Sequence, residues 1–380
     1  MAERTVKGFL TKAGITVNGN HAWDIVVYDD RFYSRVLSQG SLGLGESYMD
    51  GWWDCFRIDQ FIERVMKRRA PWFSVLNPIT VSAFLQSRLT NQAPKDKAFV
   101  IGEKHYDHGN DLFKEMLGPD LIYSCAYWKG LAFKTDNLNA AQLAKLDLIC
   151  RKLNLQPGQR VLDVGCGWGG FDRYAAKEYG VEVVGLTVSK EQADFARARC
   201  KGLPVEIRLE DYRDFRDGKK FDHVVSVGMF EHVGPKNYGI FMNMIKRNLK
   251  PGGLFLLHTI GSSARFFHYG DPWIKKYIFP VGELPTRGQI KRSLGGLEVR
   301  DWHEFGEYYD QTLMAWASRF LLAWPEKLEV RYGNKFDGKF FRMWKYYLFS
   351  CAGAFRAREI ELWQVVLAHP DEHQNYNAVR

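Results

Sequence analysis

No stretch of this sequence comes close to the roughly eighteen apolar residues in a row that a membrane-crossing helix needs. Its start, MAERTVKGFL, does not read as a signal peptide either. The expectation is a protein that meets a membrane, if at all, from outside. Cysteines are few: six, at positions 55, 125, 150, 166, 200 and 351, with no CxxC pair and no ladder of the secreted kind. That spacing argues against a disulfide framework and a zinc knuckle, so no metal site is expected and a reducing cytoplasm fits. No internal repeat and no low-complexity tract is visible. Nor is there a recognisable RNA-binding module, so nucleic acid is not an expected partner.

Aromatic residues, by contrast, are plentiful. Twelve Trp, 18 Tyr and 26 Phe in 380 residues point to aromatic-walled surfaces or cavities. The formal net charge of +9 favours an anionic partner such as an acidic membrane surface, although a solvated basic face with no partner stays open. The length suggests two or three folding units. Residues 1–95 read as mainly helical, interrupted by the turn-rich GSLGLGESYMDGWWDC of 40–55. In FRIDQFIERVMKRR (56–69) apolar residues recur at three- and four-residue intervals, ending in Lys67, Arg68 and Arg69. Those cations suit either the helix dipole or a membrane contact. APWFSVLNPITVSAFL (70–85) could dip into a lipid interface or pack in a core. NQAPKDKAFV (91–100) reads as a linker.

From about residue 136 the texture changes. LNAAQLAKLDLICRKL reads as an amphipathic helix, and short apolar runs then alternate with helical patterns: RVLDV, VEVVGLTV, VEIRL, HVVSVG and LFLLHTI. This alternation predicts a mostly parallel sheet covered on both faces. LEVRDW (297–302) and ELWQVV (361–366) read as further strands beside helical stretches at 310–324 and 340–357.

After the first of these strands comes Asp163-Val-Gly165-Cys-Gly167-Trp-Gly169-Gly170. Glycines there let the backbone approach a ligand at the carboxyl edge of the sheet. The loop also satisfies GxGxxG, so a dinucleotide must be weighed. Asp163 would oppose a pyrophosphate, and the second strand ends in Gly185-Leu186-Thr187 without the acid that would hold a ribose. A sulfonium cofactor, S-adenosylmethionine, suits an acid-edged loop better. Thr187 and Gln192 are candidates for its ribose or methionine part, with an exposed helix position as the alternative for Gln192. Asp211 and Tyr212 are candidates for the adenine amino group and ring.

Several polar groups stand in apolar company: Tyr123-Ser124-Cys125, Glu231-His232, His258 and Tyr308-Tyr309-Asp310. Glu231 follows the fourth strand and His258 lies near the end of the fifth, so both face the edge where the cofactor should lie. YSCAYW, LDVGCGWGG, GLTVSKEQ, SVGMFEHVG, LHTIGS, YIFPVGELP, YYDQTLMAW and CAGAFRARE together resemble the bacterial cyclopropane-fatty-acyl-phospholipid synthase family, from about Gly14 to near Val366. SLGLGESYMDGWW belongs to the resemblance and favours the phospholipid branch over its mycolic-acid-modifying relatives, which lack a first domain.

The resemblance implies an α/β, class I S-adenosylmethionine-dependent methyltransferase fold with a seven-stranded, mostly parallel sheet. A smaller, mainly helical domain (1–95) would serve membrane docking or dimerisation ahead of a catalytic domain at 96–380. It implies homodimers and transfer of a methylene group to the cis double bond of phospholipid acyl chains in an anionic membrane. It further implies a bicarbonate ion that takes up a proton, held by Cys125 through its backbone, Glu231, His258 and Tyr309. Tyr123, Ser124, Gly165, Gly167, Thr187, Gln192 and the Asp211-Tyr212 pair match cofactor contacts, beside Asp163 and Gly169 of the loop. Cys351 matches a cysteine considered catalytic, with a buried structural role as the alternative. A methyl-branching or methylene-forming lipid methyltransferase shares these features.

These residue types suit such a reaction. An isolated alkene attacks a sulfonium methyl only when it is aligned and dry. Aromatic faces stabilise the resulting cation, and Trp128, Tyr277, Phe279 and Tyr309 are candidates for that wall. A small oxyanion beside Glu231 and His258 can then act as base, provided that His258 is cationic or that one partner carries a proton. An electrostatic dock contributing about 1 kcal/mol per well-placed Lys or Arg should weaken as salt rises. Vesicle sedimentation across a salt series checks this, and salt-independent binding would contradict it.

Overall fold

The computed structural model describes residues 1–68, 91, 110–263, 271–329, 338–373 and 375–380. The expected linker at 91–100, apart from Asn91, and the apolar segment 70–85 lie outside the described residues, as do Arg69 and residues 331–337 of RYGNKFDGKF. The chain divides into two compact units, and the division is not one cut near residue 95. One unit joins Met1–Thr90 to Ser263–Gly282 and Tyr309–Ile360; the other comprises Asn91–Ser262, Glu283–Tyr308 and Glu361–Arg380.

The first unit is built from helices Ala2–Lys12, Arg31–Gln39, Ser41–Met49 and Ile58–Arg68, with the strands β1 (Ile25–Val27) and β2 (Trp53–Cys55) paired antiparallel. Ile58, Phe61, Ile62 and Val65 are buried, the spacing of one helical face. The segment read as turn-rich is largely helical, because its glycines serve close packing instead. A Cβ on Gly43 would come 2.4 Å from the Arg35 carbonyl oxygen, and one on Gly45 would come 2.4 Å from Trp273. Helix Gly338–Arg356 joins this unit for a similar reason: a Cβ on Gly353 would meet the Asp59 carbonyl at 2.5 Å. Arg356 donates to Asp59 at 2.6 Å and to both carboxylate oxygens of Asp310 at 2.7 and 2.8 Å. Asp59 is fully buried and is shared between Arg356 and Arg57, which donates to its two oxygens at 2.9 and 2.7 Å.

The second unit carries a seven-stranded sheet in the order β5-β4-β3-β6-β7-β9-β8. Its strands are β3 (Arg160–Val164), β4 (Glu182–Thr187), β5 (Val205–Leu209), β6 (Phe221–Val227), β7 (Leu249–Ser262), β8 (Glu298–Glu304) and β9 (Ile360–Ala368). Pairs β3–β4, β4–β5, β3–β6 and β6–β7 are parallel, and β8–β9 is antiparallel. The order reverses at β3, so the loops after β3 and β6 open the crevice where such sheets bind ligands. Helix Leu138–Lys152 buries Leu138, Gln142, Lys145, Ile149 and Lys152. Helix Lys190–Arg199 starts at Ser189, whose hydroxyl accepts from the Gln192 backbone N–H at 3.4 Å. The tail after Val366 is tied down too: Arg380 donates to both oxygens of Asp301 at 2.6 Å, and the Tyr376 hydroxyl donates to the Lys152 carbonyl at 2.8 Å. Among the described residues no helix is long and apolar enough to cross a membrane.

Gly45→Ala should lower the thermal midpoint through overpacking against Trp273, with a loss of about 1–3 kcal/mol. Gly8→Ala, on an exposed helix position with nothing within 4 Å of a new Cβ, should raise it by up to about 1 kcal/mol. Differential scanning calorimetry of the two variants checks the contrast, and equal midpoints would contradict it.

Candidate active site

The loop after β3 folds as its glycines require. Gly165, Gly167 and Gly169 have φ of 97°, 56° and 74°, in the region that side chains avoid. A Cβ on Gly165 would also come 2.6 Å from Met229. Trp168 of this loop lies 5.2 Å, ring to ring, from Phe113, and Tyr123 lies 5.5 Å from Phe113. Thr187, at the end of β4, donates to the Gln192 side-chain oxygen at 3.0 Å. Gln192 is buried, so the exposed-helix alternative does not hold.

Behind the loop Asp163 and Asp172 are both buried. Burial pushes the Asp163 carboxyl up to about 7 and that of Asp172 well above its usual range, the latter reinforced by Asp163. The acid edge foreseen at Asp163 is thus a pair that holds a proton. Lys145 counters it: fully buried, it donates to the Ser124 hydroxyl at 2.8 Å, and burial lowers its ammonium to about 7. Gln142 donates to the Ser124 carbonyl at 2.8 Å, so one helix fixes both ends of that residue. Cys125 is buried, its thiol 3.2 Å from the Ala126 carbonyl.

Asp211 takes a bidentate bond from Arg213, at 2.8 and 2.6 Å, so an adenine amino group would have to share its oxygens. Tyr212 packs edge-on against Phe241 in the core at 5.4 Å.

Glu231 follows the end of β6, and His258 lies within β7 beside that end. Val227 pairs with His258 across the two strands, and the Gly228 N–H donates to the His258 carbonyl. Glu231 accepts from the Ile260 N–H at 2.7 Å through Oε1, while Oε2 has no partner. His258 receives the Gln364 amide at Nδ1, at 3.2 Å, while Nε2 has no partner. Carboxyl and imidazole are both buried, and neither satisfies the other. Burial raises the Glu231 carboxyl to about 7; burial, then Lys145 and Lys152, pushes His258 far below its usual range. Of the alternatives left open by the residues alone, these directions favour a neutral imidazole beside a carboxyl that exchanges its proton near neutral pH. The ring of Phe305 lies 6.0 Å from that of His258, and Tyr127 lies 5.4 Å from both Phe305 and Tyr308.

Two buried, unpaired polar atoms at a ligand-binding edge fit a small anion with one protonated oxygen better than an empty core. The glycine cradle, with Thr187 and Gln192 at its rim, fits a nucleoside-bearing cofactor. Trp128, a wall candidate, packs on Phe133 at 5.5 Å in this unit. The other wall candidates lie in the first unit, where Tyr277 donates to Glu46 at 2.9 Å, Phe279 packs on Tyr347 and Tyr309 stacks on Phe355 at 4.6 Å. Cys351 is there as well, its thiol pushed up to about 12 by burial and then by Asp271. Such a thiol is a poor nucleophile.

Comparison with known proteins identifies the family. The family described as mycolic acid cyclopropane synthetase matches residues 93–365. The chain belongs to that family. It is a methyltransferase that uses S-adenosylmethionine, and its sheet is that of the class I enzymes. The cyclopropane-fatty-acyl-phospholipid synthase of Escherichia coli is 52% identical over 97% of this chain and 94% of its own length. Among solved structures, the cyclopropane synthase MmaA2 of Mycobacterium tuberculosis is 30% identical, with a TM-score of 0.65, over 73% of this chain and all of its own. Mycolic acid cyclopropane synthase CmaA1, complexed with SAH and CTAB, is 32% identical, with a TM-score of 0.62, over 71% of this chain and 97% of its own.

Lys145, Gln364 and Phe305 are the site residues that sequence reasoning missed. Lys145 and Lys152 occupy the apolar repeat of their helix, and Gln364 interrupts the apolar run ELWQVV. Either anomaly was a usable signal.

Glu231 ordinarily ionises near 4.5 and does so here at about 7, so folding takes up a proton between those values. Its contribution to stability therefore falls as pH rises through that window. Glu231→Gln removes the dependence and should gain on the wild type by a few kcal/mol from the acid to the alkaline side, since each tenfold change in proton affinity is worth about 1.4 kcal/mol. Denaturant titrations across that range test it; a constant difference would contradict the raised carboxyl.

Proposed function

We propose that this enzyme adds the methylene carbon of a cyclopropane ring to the cis double bond of unsaturated phospholipid acyl chains. The pair of buried, unpaired atoms on Glu231 and His258 carries the reading. The likeness to the Escherichia coli phospholipid synthase, which extends through the N-terminal segment outside the 93–365 match, favours phospholipid over mycolic acid. S-adenosylmethionine supplies the electrophilic methyl group, and bicarbonate supplies a base that cannot trap the acyl cation as a stable protein ester. The glycine loop, Thr187 and Gln192 hold the cofactor, and Lys145 with Gln142 fixes Ser124 beside it. Glu231 through its free oxygen, His258 through its free nitrogen and Cys125 through its backbone would hold the bicarbonate. Tyr127, Phe305 and Tyr308 keep the His258 side apolar, which excludes water and leaves a cationic carbon facing rings.

The +9 charge supports docking on an anionic inner membrane face from the cytoplasm. Homodimers rest on the family resemblance, as does the assignment of Tyr309 to the bicarbonate.

Incubation with labelled S-adenosylmethionine and monounsaturated phospholipid vesicles, followed by fatty-acid mass spectrometry and chromatography, tests the proposal. The expected product gains one CH2 as a ring; a methylene isomer or a methyl branch with two further hydrogens would replace this reading by simple C-methylation. Glu231→Gln should still bind S-adenosylhomocysteine while turnover falls by about 100-fold or more. Full turnover in that variant would remove Glu231 from the mechanism.

A further inference from the structure

Gln364 is completely buried in β9, between Trp363 and Val365, where an amide has little reason to be. Its Nε2 lies 3.2 Å from His258 Nδ1 on neighbouring β7, and its Oε1 has no partner. Leaving that oxygen unmet is costly. On its other side Gln364 is the cross-strand partner of His303 in β8, whose Nδ1 lies 3.1 Å from the Lys152 ammonium. A row of polar side chains thus crosses three strands and ends at His258, whose Nε2 is buried without a hydrogen-bond partner.

An imidazole that receives an N–H at Nδ1 must, when neutral, carry its own proton on Nε2. We infer that Gln364 is a positioning residue that holds His258 in the Nε2–H tautomer, so that the ring donates a hydrogen bond to the captured anion and cannot itself be the base. This inference rests on the bicarbonate reading for the anion and on geometry alone for the tautomer. It divides the labour at the site: Nδ1 is occupied, Nε2 is already protonated, and the proton leaving the new methyl group must go to the anion. Charges near the ring work the same way, since Lys145 and Lys152 both oppose an imidazolium. The reverse tautomer would aim a lone pair at an anion, a repulsion instead of a bond.

The test uses the full-length enzyme labelled with 15N-histidine, with His258 assigned by its loss in His258→Gln. Long-range proton–nitrogen spectra of the wild type near neutral pH should show a protonated Nε2 and a bare Nδ1; a protonated Nδ1 overturns the inference. Gln364→Glu should draw a proton onto Nδ1 and raise the bicarbonate concentration for half-maximal turnover by about tenfold, as when the orienting partner of a ligating histidine is lost. The KM for S-adenosylmethionine should not move. Gln364→Met, which removes the amide at similar volume, should give a mixture of tautomers and a smaller rise. Unchanged tautomer and unchanged bicarbonate dependence in both variants overturn the inference. If a variant fails to fold, the wild-type spectrum alone decides the tautomer. An Nε2–H ring in an enzyme indifferent to bicarbonate would support Gln364's role and sink the anion reading.

Discussion

A carboxyl and an imidazole held in a dry place without touching each other are the constraint on which the site depends. Neither Glu231 nor His258 is a hydrogen-bond partner of the other. One atom of each is engaged elsewhere: the Ile260 N–H takes Glu231 Oε1, and Gln364 takes His258 Nδ1. The remaining atoms, Oε2 and Nε2, stay buried and unmet. Unpaired polar atoms at such depth are uncommon and costly, and a bound group that satisfies both removes the cost.

The sheet supplies this arrangement through its register. Pairing of Val227 with His258 sets the end of β6 beside the middle of β7, and the turn after Gly228 delivers Glu231 to Ile260. The reversal of strand order at β3 puts the glycine loop at the same edge. Helix Leu138–Lys152 adds two buried lysines seven residues apart, one fixing Ser124 and the other reaching His303. Their charges help keep His258 neutral, which leaves an exchangeable proton to the carboxyl and to whatever binds beside it.

The seven strands and the glycine loop were legible because continuous β-branched runs and glycines speak for themselves. RVLDV and VEVVGLT match β3 and β4 closely. Ser41–Met49 was misread since glycine marks both turns and tight packing, and only tertiary structure shows Trp273 beside Gly45. The packing of Gly338–Arg356 with the N-terminal helices could not be read either, because contacts between distant segments leave no local pattern. At the site, Glu231 and His258 stood out from their apolar surroundings. Lys145 and Gln364 stood out equally on periodicity but sit outside any motif, and their role depends on neighbours across the sheet. Gln192 illustrates the reverse: spacing left it between surface and site, and its burial beside Thr187 removes the surface position.

The account stands or falls on an anion that is neither protein nor cofactor. Turnover measured in buffer stripped of dissolved carbon dioxide, then after bicarbonate is returned, addresses it most directly. The rate should fall towards zero and recover in proportion to bicarbonate until the site saturates. An enzyme that forms cyclopropane lipid at full rate without bicarbonate would contradict the account.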